Sequence, residues 1–259
     1  DIFFLSRFLR PAIAVVRLQG VIGPMGSLGR GLSLSGVEKR LDAAFKVRRL
    51  QAVAVSINSP GGAPVQSELI ATRLRNLADE QNIPIFTFIE DVGASGGYWL
   101  ACAGDEIYAR ASSIVGSIGV VSGGFGFSEI IKKFGIERRV HTSGDKKAMN
   151  DPFRPEKPNE VKHLKALQRD IHDEFIVKVK ACRGERLTGA DRNVFSGAYW
   201  TGKQALDMGL IDGIGDLRNV MREKFGDDVR FKVFDENRSW LQRRLSMGEL
   251  NGIRFGNDM

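Results

Sequence analysis

The sequence is poor in the residues that build metal centres and disulfide frameworks. Two of its 259 residues are cysteine and three are histidine. It contains no His-Glu-x-x-His motif and no paired Cys-x-x-Cys motif, which would supply typical zinc ligands. We therefore expect no metal and no cofactor. Two cysteines are also too few for a disulfide scaffold, and the apolar surroundings of Cys102 favour a small core residue.

Long hydrophobic runs are absent as well. No segment approaches the roughly 20 apolar residues that span a bilayer, and Asp1–Leu5 is far too short. The net charge of +7 is spread over the chain without a long basic block. This pattern favours a solvated surface, with peripheral attraction to an anionic membrane as the second interpretation. Nucleic acid is not an expected partner.

Alternating strand and helix patterns occupy the first half of the chain. Apolar runs predict strands at residues 12–22, 52–57, 83–90 and 106–109, and helical spacing predicts helices at 36–48, 65–80 and 95–103. Such alternation implies right-handed crossovers between parallel strands. The fold class is therefore α/β, with repeated strand–helix units and a mostly parallel sheet.

The second half of the chain is less regular. It predicts a loop at 112–124, a helix at 127–134, an extended segment at 136–141, a proline-held loop at 151–158 and then a long amphipathic helix. The apolar side of that helix carries Val161, Leu164, Ile171, Phe175 and Val179. Thr201 and Gln204 form a capping-box pattern, and Gly209 is the expected residue after the helix end. We predict one domain over 1–234 and a polar tail over 235–259.

A serine stands in a turn of small residues between a strand and a helix. Gly93-Ala94-Ser95-Gly96-Gly97 follows an apolar run and opens another. Such a turn presents one side chain and free backbone N–H groups, although an ordinary helix-capping serine would look the same. A second glycine turn, Asn58–Gly62, follows the preceding strand, and such turns lie side by side in a parallel sheet. The amides of Gly62 and Gly96 could then bind one oxyanion.

A nucleophilic serine needs a general base, and the residue pattern alone does not identify which residue that base is. His141 lies near the candidate loops but has no obvious acidic partner, which favours a structural role. His163 and His172 lie on the long helix, where we expect them to be surface residues. Lys146 and Lys147 follow the 136–141 segment. A desolvated lysine can act as a general base, yet periodicity alone favours two solvated loop lysines.

Five segments together resemble the signal peptide peptidase A (protease IV) family of bacterial serine peptidases, whose core is related to ClpP and the crotonases. The similarity runs from about residue 12 to about residue 234. The segments are Asn58–Gly62, Ala94–Tyr98, Gly116–Val120, Ser143–Lys147 with Asp151–Phe153, and Thr201–Ala205 with Gly209–Asp212.

The resemblance implies a Ser–Lys dyad. Ser95 corresponds to the nucleophile, and the Ser-Gly-x-x-Lys register before Pro-Phe falls on Lys147, while Lys146 occupies a position that is commonly not the base. Gly62 and Gly96 correspond to the oxyanion donors. Ser117 corresponds to a serine that hydrogen-bonds the lysine. The family needs no cofactor or metal and often joins the serine and lysine of different subunits.

The resemblance also implies a substrate class and an assembly. The expected activity is that of a serine endopeptidase on unfolded or short apolar peptides such as signal peptide remnants, in a membrane-associated homo-oligomer. By the resemblance, we expect the short, single-repeat form, and the sequence given contains no membrane segment of the kind that usually precedes the domain. A crotonase-type acyl-CoA enzyme and a catalytically silent scaffold are the alternatives, and the pair of Ser95 and Lys147 argues against both. Phe125, Phe127 and Phe134 are candidates for a subunit contact, although ordinary core packing is the simpler interpretation of each.

Overall fold

The computed structural model describes residues 10–23, 31–144 and 146–235. The strands in this part are β1 (Ala12–Gln19), β2 (Leu50–Ser59), β3 (Ile85–Ala94), β4 (Glu106–Ala109), β5 (Ile114–Gly116), β6 (Tyr199–Thr201), β7 (Gly213–Ile214) and β8 (Arg230–Phe234). The helices are α1 (Leu34–Phe45), α2 (Pro64–Gln81), α3 (Gly96–Ala101), α4 (Ser128–Lys133), α5 (Pro158–Arg183), α6 (Asp191–Val194), α7 (Gly202–Asp207) and α8 (Leu217–Phe225).

The described strands form one sheet in the order β6-β5-β3-β2-β1-β8, with β4 beside β3 and β7 beside β4. Every pairing is parallel except that of β5 with β6. The mostly parallel α/β fold predicted from the alternating patterns is therefore confirmed. The sheet forks at β3, because residues 86–89 pair with β4 whereas residues 92–94 pair with β5.

The two faces of the sheet are covered unequally. Helices α1, α2, α3 and part of α5 pack on one face, and their contacts contain side chains such as Leu41, Leu74 and Leu100, all fully buried. The other face has a smaller cluster in which Val220 and Met221 of α8 pack against Phe86. Alternate residues of β1, β2 and β3 belong to the two clusters, which is why apolar residues occupy consecutive positions in these strands.

Helix α5 is only half packed. Phe175 and Val179 are buried, but Ile171 is exposed and Leu164 is half-buried. The long helix predicted from the sequence is present, and its apolar side meets the core only in its C-terminal part. Among the described residues, no helix is long and apolar enough to cross a membrane.

A poorly covered arm separates β5 from α5. We define the arm as residues 120–157, in which α4 is the only regular element among the described positions. Phe125 is 81% exposed and Phe134 is 73% exposed, so the core-packing interpretation of these two side chains is wrong. Phe127 is half-buried and packs on Phe153 with ring centroids 5.5 Å apart. The arm is thus held by local contacts and leaves large apolar side chains in solvent.

The capping prediction near the end of the chain is confirmed in full. The Thr201 side chain accepts a hydrogen bond from the Gln204 amide, and the Gln204 side chain accepts one from the Thr201 amide. Gly209 follows the end of α7 with φ +74°. Strand β8, which the sequence patterns did not predict, ends at Phe234; the predicted polar tail lies outside the described residues from position 236 onward.

Candidate active site

Ser95 occupies a strained turn between β3 and α3. Its φ is 51° and its ψ is −123°, a region that costs a residue with a Cβ about 1–3 kcal/mol. The Ser95 carbonyl accepts hydrogen bonds from the amides of Tyr98 and Trp99, at 2.9 and 3.0 Å. The side chain is half-buried, whereas the five residues that follow are buried. The turn therefore holds the serine at the edge of the core.

The second glycine turn packs directly on this serine. A Cβ on Gly61 would lie 2.7 Å from the Gly96 nitrogen and 2.8 Å from the Ser95 Cβ, and Gly61 has φ +99°. The Gly61 amide donates to the Ser59 hydroxyl at 3.1 Å. The absence of a side chain at position 61 is thus what allows the ends of β2 and β3 to approach so closely.

The backbone after β1 fixes the far side of the Gly61 turn. The Ile22 amide donates to the Gly61 carbonyl and the Ile22 carbonyl accepts from Ala63, each at 2.8 Å. These two hydrogen bonds involve Gly61 and Ala63, the neighbours of Gly62, so the Gly62 amide takes no part in them. Neither the amide of Gly62 nor that of Gly96 donates a hydrogen bond to any residue in the described part of the chain.

Strand β5 brings Ser117 next to Ser95. Ala94 and Gly116 are paired in register, and the Ser95 amide donates to the Gly116 carbonyl at 2.8 Å. Ser117 also has φ 51°, and its amide donates to the Ala198 carbonyl at 2.8 Å. Sequence patterns placed this stretch in a loop, because a three-residue strand is too short to show a period.

His172 is a supporting residue that the sequence analysis missed. Its Nε2 lies 3.0 Å from the carbonyl of Ile118, so α5 holds the segment just after Ser117. In the sequence, the one signal that the His172 side chain faces the core is its position one helical turn before Phe175, which is buried. His141 is exposed on the arm.

Lys147 belongs to the arm and not to the turns around Ser95. It is exposed on the arm, where its amide donates to the Gly144 carbonyl at 3.2 Å. Within the described ranges, no hydrogen bond joins Lys147 to Ser95 or Ser117. The chain thus gathers the predicted nucleophile, oxyanion donors and orienting serine, and presents the predicted base to solvent.

A buried polar network anchors α3 from behind. The Tyr98 hydroxyl, fully buried, donates to the Leu210 carbonyl at 2.6 Å, and burial raises the pKa of Tyr98. Arg183 of α5, 1% exposed, makes a bidentate pair with Asp212 at 2.7 and 2.9 Å. Asp212 also accepts the Ile107 amide at 2.7 Å. These bonds connect the helix that follows Ser95 to β4 and α5.

A cavity of about 660 Å³ lies on the opposite, α8-covered side of the sheet. Phe88, Glu90, Arg110 and Asp216 are among the residues that line it. None of the five predicted site residues contributes to its wall, so this cavity is separate from the serine turn.

The fold and the serine turn define the class of protein. A forked, mostly parallel sheet with a serine at a strand–helix turn is an α/β architecture of the ClpP and crotonase type. The family model "Peptidase family S49" matches residues 78–227, which include Ser95, Ser117 and Lys147. The match covers more than half of the chain, and the chain belongs to peptidase family S49, a family of serine-type peptidases.

Individual relatives agree with this membership. The putative protease slr0021 of Synechocystis is 32% identical over 85% of this chain and 81% of its own length. The putative signal peptide peptidase SppA of Enterococcus faecium is 31% identical over 80% of this chain and 62% of its own length. A protein of Brucella abortus named Na(+)/H(+) antiporter NhaA is 52% identical over 92% of this chain, but the chain spans only 32% of it. That name describes a much longer protein and transfers no function here.

A solved structure has the same fold. The membrane-bound stomatin-specific protease 1510-N, solved as a mutant with a substrate peptide, aligns over 92% of this chain and 97% of its own with a TM-score of 0.53. At 13% identity, this likeness concerns the architecture alone.

Proposed function

We propose that this chain is a serine endopeptidase whose Ser–Lys dyad is completed between two copies of the chain. The observation that carries the proposal is that Lys147 is exposed and, within the described residues, makes no hydrogen bond to Ser95 or Ser117. Ser95 lies in a strained turn beside two available glycine amides, whereas Lys147 is exposed on the arm. Membership of peptidase family S49 and the protease relatives support the reaction class.

The chemistry follows from the groups present. The Ser95 hydroxyl attacks a peptide carbonyl while the neutral amine of Lys147 accepts its proton. The amides of Gly62 and Gly96 bind the resulting oxyanion. The protonated lysine then gives the proton to the leaving amine, which leaves an acyl-enzyme on Ser95. Water attacks this ester with Lys147 again as base, which releases the acid and regenerates the serine.

Ser117 is the proposed orienting group for the lysine. It lies beside Ser95 because Gly116 pairs with Ala94, and its φ of 51° separates it from the regular path of β5. A hydroxyl at this position can accept a hydrogen bond from an arriving ammonium or donate one to the neutral amine.

The arm supplies a physical reason for assembly. Val121, Phe125, Phe134 and Ile136 are all more than half exposed. Single soluble chains rarely leave such apolar groups uncovered together. A second copy that covers the arm would also remove water from Lys147, and desolvation disfavours the charged form of an amine.

The proposed substrates are unfolded or short, largely apolar peptides such as signal peptide remnants. A site that forms only between subunits is confined, and confinement excludes folded proteins. The net charge of +7 is compatible with peripheral attraction to an anionic membrane, where such peptides are released.

Subunit mixing tests the shared site. Ser95→Ala and Lys147→Ala proteins are each prepared, mixed at equal concentration and allowed to exchange, and cleavage of an unstructured fluorogenic peptide is measured. Each protein alone should be inactive. Mixed assemblies should recover a substantial fraction of the wild-type rate, because some sites receive an intact serine and an intact lysine.

Two controls make the result decisive. A mixture of Ser95→Ala with Ser95→Ala,Lys147→Ala protein should stay inactive, since no site can then hold an intact serine. Sedimentation of the wild type should show an oligomer. A fully active monomer, or mixing without recovery between proteins shown to exchange, would contradict the shared dyad.

A further inference from the structure

A carboxylate is buried inside the otherwise exposed arm. The side chain of Asp151 is 5% exposed, whereas Phe125 of the same arm is 81% exposed. One oxygen of Asp151 accepts a hydrogen bond from Nε of Arg138 and the other accepts one from the Phe153 amide, each at 3.0 Å. Nε of Arg154 lies 3.6 Å from the carboxylate. Burial of an anion costs free energy unless donors and cations surround it, so these contacts are what keep Asp151 in place.

These contacts join separate segments of the arm. Arg138 and Asp151 are 13 residues apart in sequence. The Arg138 guanidinium also lies over the Phe153 ring, 4.9 Å from its centroid. We call the following residues the carboxylate cluster: Arg138, Asp151, Phe153 and Arg154. The cluster connects the segment that precedes Lys147 to the loop that follows it.

The carboxylate cluster also holds the segment that carries Lys147. The Arg154 guanidinium donates a hydrogen bond to the carbonyl of Ala148, the residue directly after Lys147. The Asn150 amide donates to the carboxylate of Glu160 at 3.2 Å, which connects the same segment to the first turn of α5. One guanidinium therefore links the buried carboxylate to the backbone beside the proposed base.

We propose that Asp151 is a positioning residue for Lys147, a role that rests on the proposed function of that lysine as the base. Asp151 orients Arg154, and Arg154 holds the carbonyl next to Lys147. In a dyad shared between copies, the amine of Lys147 reaches Ser95 only if the arm keeps its local fold. A misplacement of about 1 Å can lower a rate about 100-fold. Substrate binding beside Ser95 does not involve the carboxylate cluster, so we expect the effect in kcat rather than in KM.

Subunit mixing assigns the effect to one of the two chains. Asp151→Asn is added either to Ser95→Ala protein, which donates the lysine, or to Lys147→Ala protein, which donates the serine. Asparagine keeps the shape of the side chain but removes the charge that holds two guanidinium groups. Relative to the mixture without Asp151→Asn, the first placement should lower kcat at least about tenfold with little change in KM, and the second should leave the rate unchanged. The matched control is Glu156→Gln, which removes a charge from an exposed position of the same arm and should be silent in both placements.

Hydrogen exchange of the whole chain, measured by mass spectrometry, tests the local link without using cleavage. Peptides that cover residues 146–154 should exchange several-fold faster in Asp151→Asn than in the wild type or in Glu156→Gln, because the hydrogen bonds of the carboxylate cluster are lost. Unchanged exchange in these peptides, or an equal loss of activity in the two placements, would overturn the proposal. A starting mixture that recovers no activity would refute the shared dyad instead, and hydrogen exchange would then decide by itself whether Asp151 holds the Lys147 segment.

Discussion

The amide of Ser95 donates a 2.8 Å hydrogen bond to the carbonyl of Gly116. This bond continues the β3–β5 pairing by one step and places Ser117 next to the proposed nucleophile. Both serines have φ of 51°, which a residue with a Cβ rarely adopts. Two neighbouring strands thus end side by side, each in a serine with positive φ.

Replacement of the proposed nucleophile should abolish peptide cleavage and preserve the fold. We expect Ser95→Ala to lower kcat by at least about 10³-fold, with a residual rate from the oxyanion donors. Circular dichroism and the thermal unfolding midpoint should stay near wild type, because alanine and serine tolerate the turn about equally. Ser112→Ala, at an exposed serine, is the control and should remain active. Near-normal cleavage by Ser95→Ala would exclude Ser95 as nucleophile.

The contact between the two glycine turns should be intolerant of a methyl group. Gly61→Ala would push a Cβ to within 3 Å of backbone and Cβ atoms at positions 94–96, in a residue with φ +99°. We expect a loss of about 2–4 kcal/mol in the free energy of unfolding, from overpacking and left-handed strain together. Gly124→Ala has open space around it and should cost little. Equal denaturation midpoints for the two variants would contradict this account.

The two adjacent arm lysines should differ in their effect on the reaction. Lys147→Ala should remove cleavage, since a neutral base is lost, and Lys146→Ala should change the rate only modestly. Initial rates with one peptide at saturating concentration measure the difference. The opposite result would assign the base to Lys146. A strong loss of activity in both variants would count against the assignment of Lys147 alone.

The rate of cleavage should rise from neutral to alkaline pH. A lysine base works only in its neutral form, and a free lysine side chain titrates at about 10.4. Assembly that desolvates the amine should bring the midpoint of the rising limb below that value. The measurement is kcat/KM across this range, with oligomeric state checked at each pH. A flat profile would argue for a different base.

The buried ion pair behind α3 should contribute strongly to stability. Arg183→Met leaves the Asp212 carboxylate, which is largely buried, without its main partner, and we expect a loss of about 3–5 kcal/mol. Arg186→Met is the matched control, because Arg186 contacts the same carboxylate at 3.2 Å but is 45% exposed. Urea unfolding of both variants measures the difference. A similarly small loss in both variants would mean that the buried Arg183–Asp212 pair stabilises the fold no more than the exposed Arg186–Asp212 contact does.

The Arg183–Asp212 pair should also make the free energy of unfolding depend on pH in the acidic range. Burial raises the pKa of Asp212, but the hydrogen bonds from Arg183 and the Ile107 amide outweigh it, and the net pKa is lowered. A lowered folded pKa gives a contribution that is complete above the ordinary pKa of about 4 and is lost as pH falls through the folded value. In Arg183→Met, we expect the acid-dependent part of the unfolding free energy to shrink. An unchanged acid slope would contradict this linkage.

Local patterns predicted the long elements well. Strands β1–β3 and helices α1–α2 are long enough for apolar periodicity to identify them, and their bounds agree within a few residues. Strands β5 and β6 have three residues each, and β7 has two, so no period could appear. The exposure of the arm was also beyond local patterns, since Phe125 and Phe134 are typical core residues but no element in the described part of the chain covers them.

The sequence by itself determined the α/β class, the small-residue turn at Ser95 and the motifs that place the chain in its family, because these depend on local periodicity and on residue types at fixed spacing. Only the tertiary structure decided what lies beside what. It brought Ser117 to Ser95 through a short strand, joined Arg183 of α5 to Asp212, and left Lys147 exposed on the arm. Such contacts join residues that are distant in the chain, and they are fixed by the packing of whole strands and helices, which no local pattern encodes.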